Sequence, residues 1–292
     1  MSAVPPTHQK RAMLVVLAHP DDESFGMGGT LALYARRGVE VHLVCATRGE
    51  AGMMAEDCLD GFESTADRRV SELRCASGIL GLTGLYFLNY RDSGMPGSAD
   101  NAHPQALINA PLDVVAGQVV TYIRSLHPQV VVTFDPIGGY KHPDHIAIHN
   151  ATVRAFALAG DPSFQDPEGL PAYQPSKLYY HLFPKAMLRW AVRIMPLLWR
   201  DPRKFGRNGD IDLVDLVSSG EFPVHAAVDY RSVSAQRDAA AACHESQLEG
   251  GPPRSGAFGR AWTAIFGGRD YFMRAHPPVS GRARESDLFQ GL

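Results

Sequence analysis

Four ionisable residues, His19, Asp21, Asp22 and Glu23, follow directly on the apolar run AMLVVLA (residues 12–18), and a glycine cluster, GMGG, stands just behind them. Carboxylates crowded at the end of a buried strand repel one another and need compensation once desolvated; a cation is the simplest partner. A second cluster, FDPIGGYKHPDHIAIH (residues 134–149), also follows an apolar run and also combines histidine, proline and aspartate. Imidazole and carboxylate suit zinc and ferrous iron, and a catalytic site for such an ion takes three protein ligands and keeps one position open. His19 and Asp22, close together in a tight turn, can point at one ion. One histidine from the second cluster would complete a two-histidine, one-carboxylate set. His142, His145 and His149 are the candidates: His145 and His149 lie one helical turn apart, whereas His142, before Pro143, belongs at a helix mouth. A helix cap is the bland alternative for Asp21; Glu23 reads as structural, and His149 as a helix-surface residue or one supporting a ligand from behind.

Both clusters need elements that bring them together. AMLVVLA reads as a buried strand, GGTLALYARRG as a helix stopped at Gly38, and VEVHLVCAT as a second strand. A helix over TADRRVSELRCASGILG, a strand GLYFLNY, a helix over PLDVVAGQVVTYIRSLHP, a strand QVVVTFDP and a helix opened by Pro143 continue the alternation. Such alternation predicts a Rossmann-like three-layer α/β fold with a mostly parallel sheet. Ligands bind at the carboxyl ends of strands in open sheets of this kind, and both clusters fall there.

The later half is less regular. It reads as a Pro-rich loop (DPSFQDPEGLPAYQPS), a strand KLYYHLF, an apolar helix KAMLRWAVRIMPLLWR, a strand FPVHAAVDY, an alanine-rich helix through CHESQ, and a loop GGPPRSGAFGR. The apolar helix is expected to pack on the core, with a membrane-touching or interface role as the alternative. No linker divides the chain, so one domain over 1–292 is expected, with a metal-site core at 11–160 and a C-terminal elaboration at 161–292 shaping the substrate pocket.

A net charge of -3 argues against a nucleic-acid partner. Nothing near the start resembles a secretory signal and no apolar run spans a membrane, which predicts a cytoplasmic protein without stable membrane insertion. Self-association as a homo-oligomer is left open. Cys45, Cys58, Cys75 and Cys243 lack the paired spacing of thiolate zinc sites and read as structural thiols, Cys45 in the core. GMGGT lacks the GxGxxG phosphate-loop spacing, and its glycines are expected to let the helix approach the metal turn.

AHPDDE paired with HPDH resembles the PIG-L/LmbE-like metal-dependent de-N-acetylases, which act on N-acetylglucosamine conjugates. The likeness extends to Arg69 and Glu72 in RRVSEL, to YRDSGM, to GGYKHPDH and to HESQ (residues 244–247). RDSGM is most similar to the branch holding the mycothiol-biosynthesis deacetylase and the mycothiol S-conjugate amidase. The resemblance implies that His19, Asp22 and His145 bind the metal, so His145 is the histidine taken from the three. A bound metal can bring the pKa of water down to roughly 7. Asp21 would then be the general base, later returning its proton to the departing amine. His142 and Tyr140 would donate to the developing oxyanion, and Asp144 would orient an imidazole. Arg69 and Asp92 match the family's sugar-hydroxyl contacts, with pairing to Glu72 as the duller role for Arg69. Lys141 stands where that branch tends to have glycine, and is expected to read a phosphate or carboxylate on the acceptor portion of the substrate.

The expected function is therefore hydrolysis of an N-acetyl group from a small amino-sugar conjugate, with Zn2+, or alternatively Fe2+, as cofactor. The alternatives are an amidase for a larger acyl group, and an inactive sugar- or nucleotide-binding module.

Overall fold

The computed structural model describes residues 10–183, 185–205, 209, 211–248, 268–279, 281 and 284–292. In chain order the elements are β1 (Ala12–Leu17), α1 (Asp22–Arg36), β2 (Glu40–Thr47), α2 (Thr65–Leu80), β3 (Gly84–Tyr90), α3 (Leu112–Leu126), β4 (Val130–Phe134), the short α4 (Gly138–Lys141) and α5 (Pro143–Ala159). They continue with β5 (Lys177–Leu182), α6 (Lys185–Ile194), α7 (Leu213–Ser218), β6 (Ala226–Asp229), α8 (Ser234–Ala242) and β7 (Arg269–His276).

One seven-stranded sheet runs β3-β2-β1-β4-β5-β7-β6. Its first five strands are parallel, and β7 is antiparallel to both of its neighbours. Helices α3 and α5 pack together on one face of the sheet, and α1, α2 and α8 associate on the other. Every residue of β1 and of β4 is buried, the pattern of parallel strands covered on both faces. Local signals set the helix ends. Ser64 Oγ accepts from the Asp67 N–H at 3.2 Å to open α2, and Gly81, with φ +78°, closes it in the left-handed conformation.

The structure departs from the sequence reading in several places. Helix α1 starts at Asp22, not in the glycine cluster, so the acidic turn is itself the helix N-terminus. Gly29 behind it serves a different approach from the one expected. A Cβ on Gly29 would lie 2.1 Å from the Tyr230 ring, so this glycine admits the late segment against α1 rather than the metal turn. Strand β7 and helix α7 are additions to the expected elements. β7 (RDYFMRAH) lacks clean alternation yet inserts between β5 and β6, extending the sheet beyond its parallel part. The loop expected over GGPPRSGAFGR lies outside the described residues. The apolar helix ends at Ile194 and passes into a 3-10 turn, Met195–Leu198.

Cys75 and Cys243, expected as separate structural thiols, are instead joined in a disulfide between α2 and the end of α8, 168 residues apart in sequence. Spacing that wide carries no local signal. Cys45 and Cys58 are free, and Cys45 is buried as expected. Among the described residues, no helix is long and apolar enough to cross a membrane.

Candidate metal-binding active site

The order β2-β1-β4 explains why two distant clusters meet. From β1 the chain crosses over one way to reach β2, whereas β4, entered later, lies on the other side, leaving a crevice at their carboxyl ends. The two strands run in register, Val15 opposite Val132, so the turns leaving them emerge side by side. His19 to Asp22 leave β1, and Asp135 to His145 leave β4.

Four ligand atoms from three residues converge there. His19 Nδ1 lies 3.2 Å from His145 Nε2, His145 Nε2 lies 3.2 Å from Asp22 Oδ1, and Asp22 Oδ2 lies 3.5 Å from His19 Nδ1. Four-coordinate zinc with ligand bonds of roughly 2.0–2.1 Å separates neighbouring ligands by about 3.3–3.4 Å, so these spacings suit one ion. The remaining ring nitrogens fix which lone pairs face inward. His145 Nδ1 is 3.2 Å from the Gly138 carbonyl, which can only accept, so this nitrogen carries the proton and Nε2 offers its lone pair. His19 Nε2 faces Asp144 Oδ2 at 3.2 Å and Asp92 Oδ1 at 3.4 Å, which leaves Nδ1 as the donor toward an ion. Two lone pairs and a carboxylate turned on one another call for positive charge between them.

The electrostatics agree. Burial opposes a charge on His19, yet Asp92, Asp144 and Asp22 together raise its proton affinity well above the ordinary imidazole value. Burial likewise opposes ionisation of Asp22, but His145 and His19 hold its carboxyl well below the usual range. Among the described residues two other close groupings occur, His19 with His142 and His145, and His19 with Asp92 and Asp144. In the first, His142 Nδ1 is already occupied as the cap of α5, accepting from the Asp144 N–H at 3.2 Å. In the second, the two carboxylates face the outer nitrogen of His19. The set His19, Asp22 and His145 therefore fits an ion best.

His149 does not join them. Its Nδ1 donates to the Phe134 carbonyl at 2.8 Å and its ring meets Tyr180, so it braces the end of β4. Asp144 is fully buried, and Ser93 holds it by its N–H at 2.8 Å on Oδ2 and by its hydroxyl on Oδ1. The imidazole that Asp144 faces is that of His19.

Asp21 is the N-cap residue of α1, yet its side chain makes no capping hydrogen bond, and its φ of 129° is a conformation that non-glycine residues rarely adopt. Its Oδ2 instead accepts from Arg69 Nη2 at 3.0 Å. Burial pushes its carboxyl up to about 6, with Arg69 opposing and Asp22 reinforcing the shift. Arg69 also donates to the carbonyls of Pro20 (2.8 Å) and Gly49 (3.1 Å), and lies 3.8 Å from Asp92. The pairing with Glu72 that was its duller alternative belongs instead to its neighbour: Arg68 Nε binds Glu72 at 2.8 Å. Arg69 and Asp92 are both nearly fully buried, at 4% and 3% exposed, and each has partners within the protein.

His142 is buried and neutral. Desolvation first, and then the neighbouring imidazoles of His19 and His145, push its pKa down to about 2, and with Nδ1 accepting from the backbone, Nε2 carries the hydrogen. Tyr140 lies beside it, ring centroids 5.9 Å apart, with its hydroxyl pKa raised by burial. Tyr140 and Lys141 also line a cleft of about 240 Å3 with Met95, Pro96, Asp212, Asp215 and Leu216. Lys141 does not stand free in it, because its ammonium pairs with Asp215 of α7.

Sequence reasoning missed Ser93, Asp135 and Asp215. Asp135 Oδ1 accepts from the N–H groups of Ile137 (3.1 Å) and Gly139 (2.9 Å), shaping the turn that presents the Gly138 carbonyl. An aspartate two residues before a backbone donor is a readable turn signal; Asp215 had no comparable signal. His244 is fully buried and binds Glu23 through Nε2 at 2.8 Å. Glu23 also accepts from the Asp21 N–H at 3.1 Å, so it supports the turn from beneath.

Comparison with known proteins bears on this geometry. Residues 14–156 match the family model PIG-L, described as GlcNAc-PI de-N-acetylase. A protein of Geodermatophilus obscurus named 1D-myo-inositol 2-acetamido-2-deoxy-alpha-D-glucopyranoside deacetylase is 35% identical over 97% of this chain and 98% of its own length. The Streptomyces avermitilis protein of the same name is 36% identical, over 97% of each. Among solved structures, the N,N'-diacetylchitobiose deacetylase of Pyrococcus horikoshii aligns with a TM-score of 0.62 at 22% identity, covering 92% of this chain and 85% of that one. A Pseudomonas putida hydratase, GalB, aligns with a TM-score of 0.59 at 18% identity, covering 93% and 98%. Likeness at that level shows the shared fold.

Proposed function

Because the chain belongs to the PIG-L family of de-N-acetylases, we propose that it hydrolyses the N-acetyl group of a small, polar N-acetylglucosamine conjugate in a metal-dependent reaction. The observation that carries this reading is the inward-facing set of His19 Nδ1, His145 Nε2 and Asp22, with the non-capping carboxylate of Asp21 beside it. Zn2+ suits the donors, and Fe2+ suits them as well. A divalent ion held there supplies Lewis acidity toward water and toward the acetyl carbonyl.

The chain's own residues supply the rest. Asp21 takes the proton from the attacking water and returns it to the nitrogen of the departing amine. Arg69 holds Asp21 in place and favours its ionised form. The His142 Nε2–H donates to the carbonyl oxygen as it gains negative charge, a contact usually worth a few kcal/mol in the transition state. Tyr140, kept protonated by burial, is the second donor. Asp144 keeps His19 in the tautomer that faces the ion. Edges of Arg69 and Asp92 meet sugar hydroxyls, and the cleft beyond Tyr140 takes the aglycone, with Lys141 released from Asp215 to meet an acidic substituent. On this reading residues 11–160 carry the reacting groups, and the elaboration at 161–292 provides the cleft wall through Asp212, Asp215 and Leu216. The names of the full-length relatives support an N-acetylglucosaminyl-inositol as the substrate to try first.

The test is acetate release from N-acetylglucosaminyl-inositol by metal-stripped protein, before and after addition of Zn2+ or Fe2+, with Asp21→Asn in parallel. Turnover that needs the ion, and an Asp21→Asn variant that binds metal but loses about 10²–10⁴-fold in kcat, are expected. Full turnover by the stripped protein or by the variant would sink the assignment.

A further inference from the structure

Beyond the hydrolytic site, the segment following α6 builds an apolar tip flanked in sequence by cations. Leu197 (73% exposed), Leu198 (48%), Trp199 (99%) and Phe205 (45%) are among the most exposed large apolar side chains of the described residues. Trp199 is held outward rather than left loose. It takes a left-handed φ of 58°, its N–H donates to the Pro196 carbonyl at 3.1 Å, and the next N–H, of Arg200, donates to the Met195 carbonyl at 3.0 Å. The far side is tied down too. Phe205 and Ile211 exchange both backbone hydrogen bonds, at 2.9 and 3.1 Å, and the Leu213 N–H binds the Pro202 carbonyl at 3.0 Å.

The charge around this tip runs against that of the whole molecule. Residues 185–205 hold six basic side chains and one acidic one, in a chain whose net charge is -3. Glu221 answers Arg189 at 3.4 Å, while Arg193, Arg200, Arg203 and Lys204 are exposed in the same stretch of chain as the apolar residues. Apolar side chains that include tryptophan, flanked by arginine and lysine, match the interfacial layer of an anionic bilayer. A second copy of the chain fits less well, because a two-fold contact through this tip would set the same cations against each other.

We infer that the tip formed by Leu197, Leu198, Trp199 and Phe205, with its flanking cations, docks this protein peripherally on an anionic lipid surface. The tip is joined through Pro202 to α7, whose Asp215 and Leu216 line the cleft, so docking brings the cleft wall to the headgroup layer.

Flotation of the full chain with vesicles of phosphatidylcholine alone, or of phosphatidylcholine mixed equally with phosphatidylglycerol, tests this. Binding is expected only to the anionic vesicles, with a blue shift of tryptophan emission, and it should weaken as salt rises from about 0.1 to about 0.5 M. Trp199→Ala with Leu197→Ala should reduce binding about tenfold or more, and Arg200→Glu with Arg203→Glu should do the same, while circular dichroism and melting temperature stay unchanged. Absence of binding to anionic vesicles would overturn the inference, as would equal binding to both compositions. A concentration-dependent dimer abolished by Trp199→Ala, without vesicle binding, would assign the tip to a second copy instead.

Discussion

Arg69 Nη2 donates to Asp21 Oδ2 at 3.0 Å, linking the second helix of the chain to the turn that ends its first strand. This contact joins a base candidate to its charge partner. Burial raises the Asp21 carboxyl to about 6, and the guanidinium is the largest influence opposing that rise. A base works only when ionised, so removing the cation must raise its pKa further and move the acid limb of the rate profile to higher pH. Arg69→Met is therefore expected to shift the acidic limb of kcat upward and to lose activity most at the low end of the pH range. A profile that only scales down, with its limb unmoved, would show Arg69 acting by some other route.

The same arginine is sensitive from its other side. Gly49 has φ +74°, and a Cβ built on it would sit 2.2 Å from Arg69 Nη1. The guanidinium is buried and tied to two carbonyls and Asp21, so it cannot simply swing away. Gly49→Ala should cost about 1–3 kcal/mol in stability, from the strained backbone and the displaced ion pair. Its rate profile should shift in the direction expected for Arg69→Met. Denaturant unfolding and a pH series on the one variant check both halves.

Asp144 offers a test that reads metal affinity rather than turnover. It faces His19 Nε2 at 3.2 Å and is itself fixed by Ser93. Loss of such an orienting carboxylate typically weakens metal binding about 10–100-fold. Asp144→Ala should show that loss in competition with a chromogenic chelator, and Ser93→Ala a smaller one. Unchanged affinity in Asp144→Ala would mean that His19 is not a ligand through Nδ1.

How much of this could be read from the chain follows from what each signal depends on. The two clusters were legible because a run of valines and leucines announces a strand and the polar residues after it announce a strand's carboxyl end. Their convergence followed from the strand–helix alternation. The choice among His142, His145 and His149 was not legible from spacing, because it turns on which ring nitrogens are spent on Asp144, Gly138 and Phe134. Nor could sequence show that Glu23 meets His244, or that Lys141 meets Asp215, since partners 221 and 74 residues apart leave no periodic trace. Strand β7 escaped because its edge-like mix of Arg269, Asp270 and Arg274 hides a pairing with β5 that only the completed sheet supplies.

Asp270 of β7 gives a pH-dependent prediction away from the metal site. Its Oδ2 accepts from the N–H and hydroxyl of Thr30 in α1, at 2.9 and 2.7 Å. Burial nevertheless pushes its carboxyl up to about 6, with the Thr30 hydrogen bonds and Arg237 opposing. An unfolded aspartate titrates near 3.9. The folded protein therefore binds the extra proton between these two values. The contribution of Asp270 is fully present below about pH 4 and is lost as pH rises through about 6. An Asp270→Asn substitution would keep a neutral acceptor for Thr30 and remove the titration. The stability of Asp270→Asn relative to wild type should thus rise between about pH 4 and pH 7, by on the order of 2–3 kcal/mol for a shift of roughly two units. Urea unfolding of both proteins at a series of pH values measures the difference directly. A flat difference across that window, or one that falls, would show that Asp270 ionises normally beneath α1.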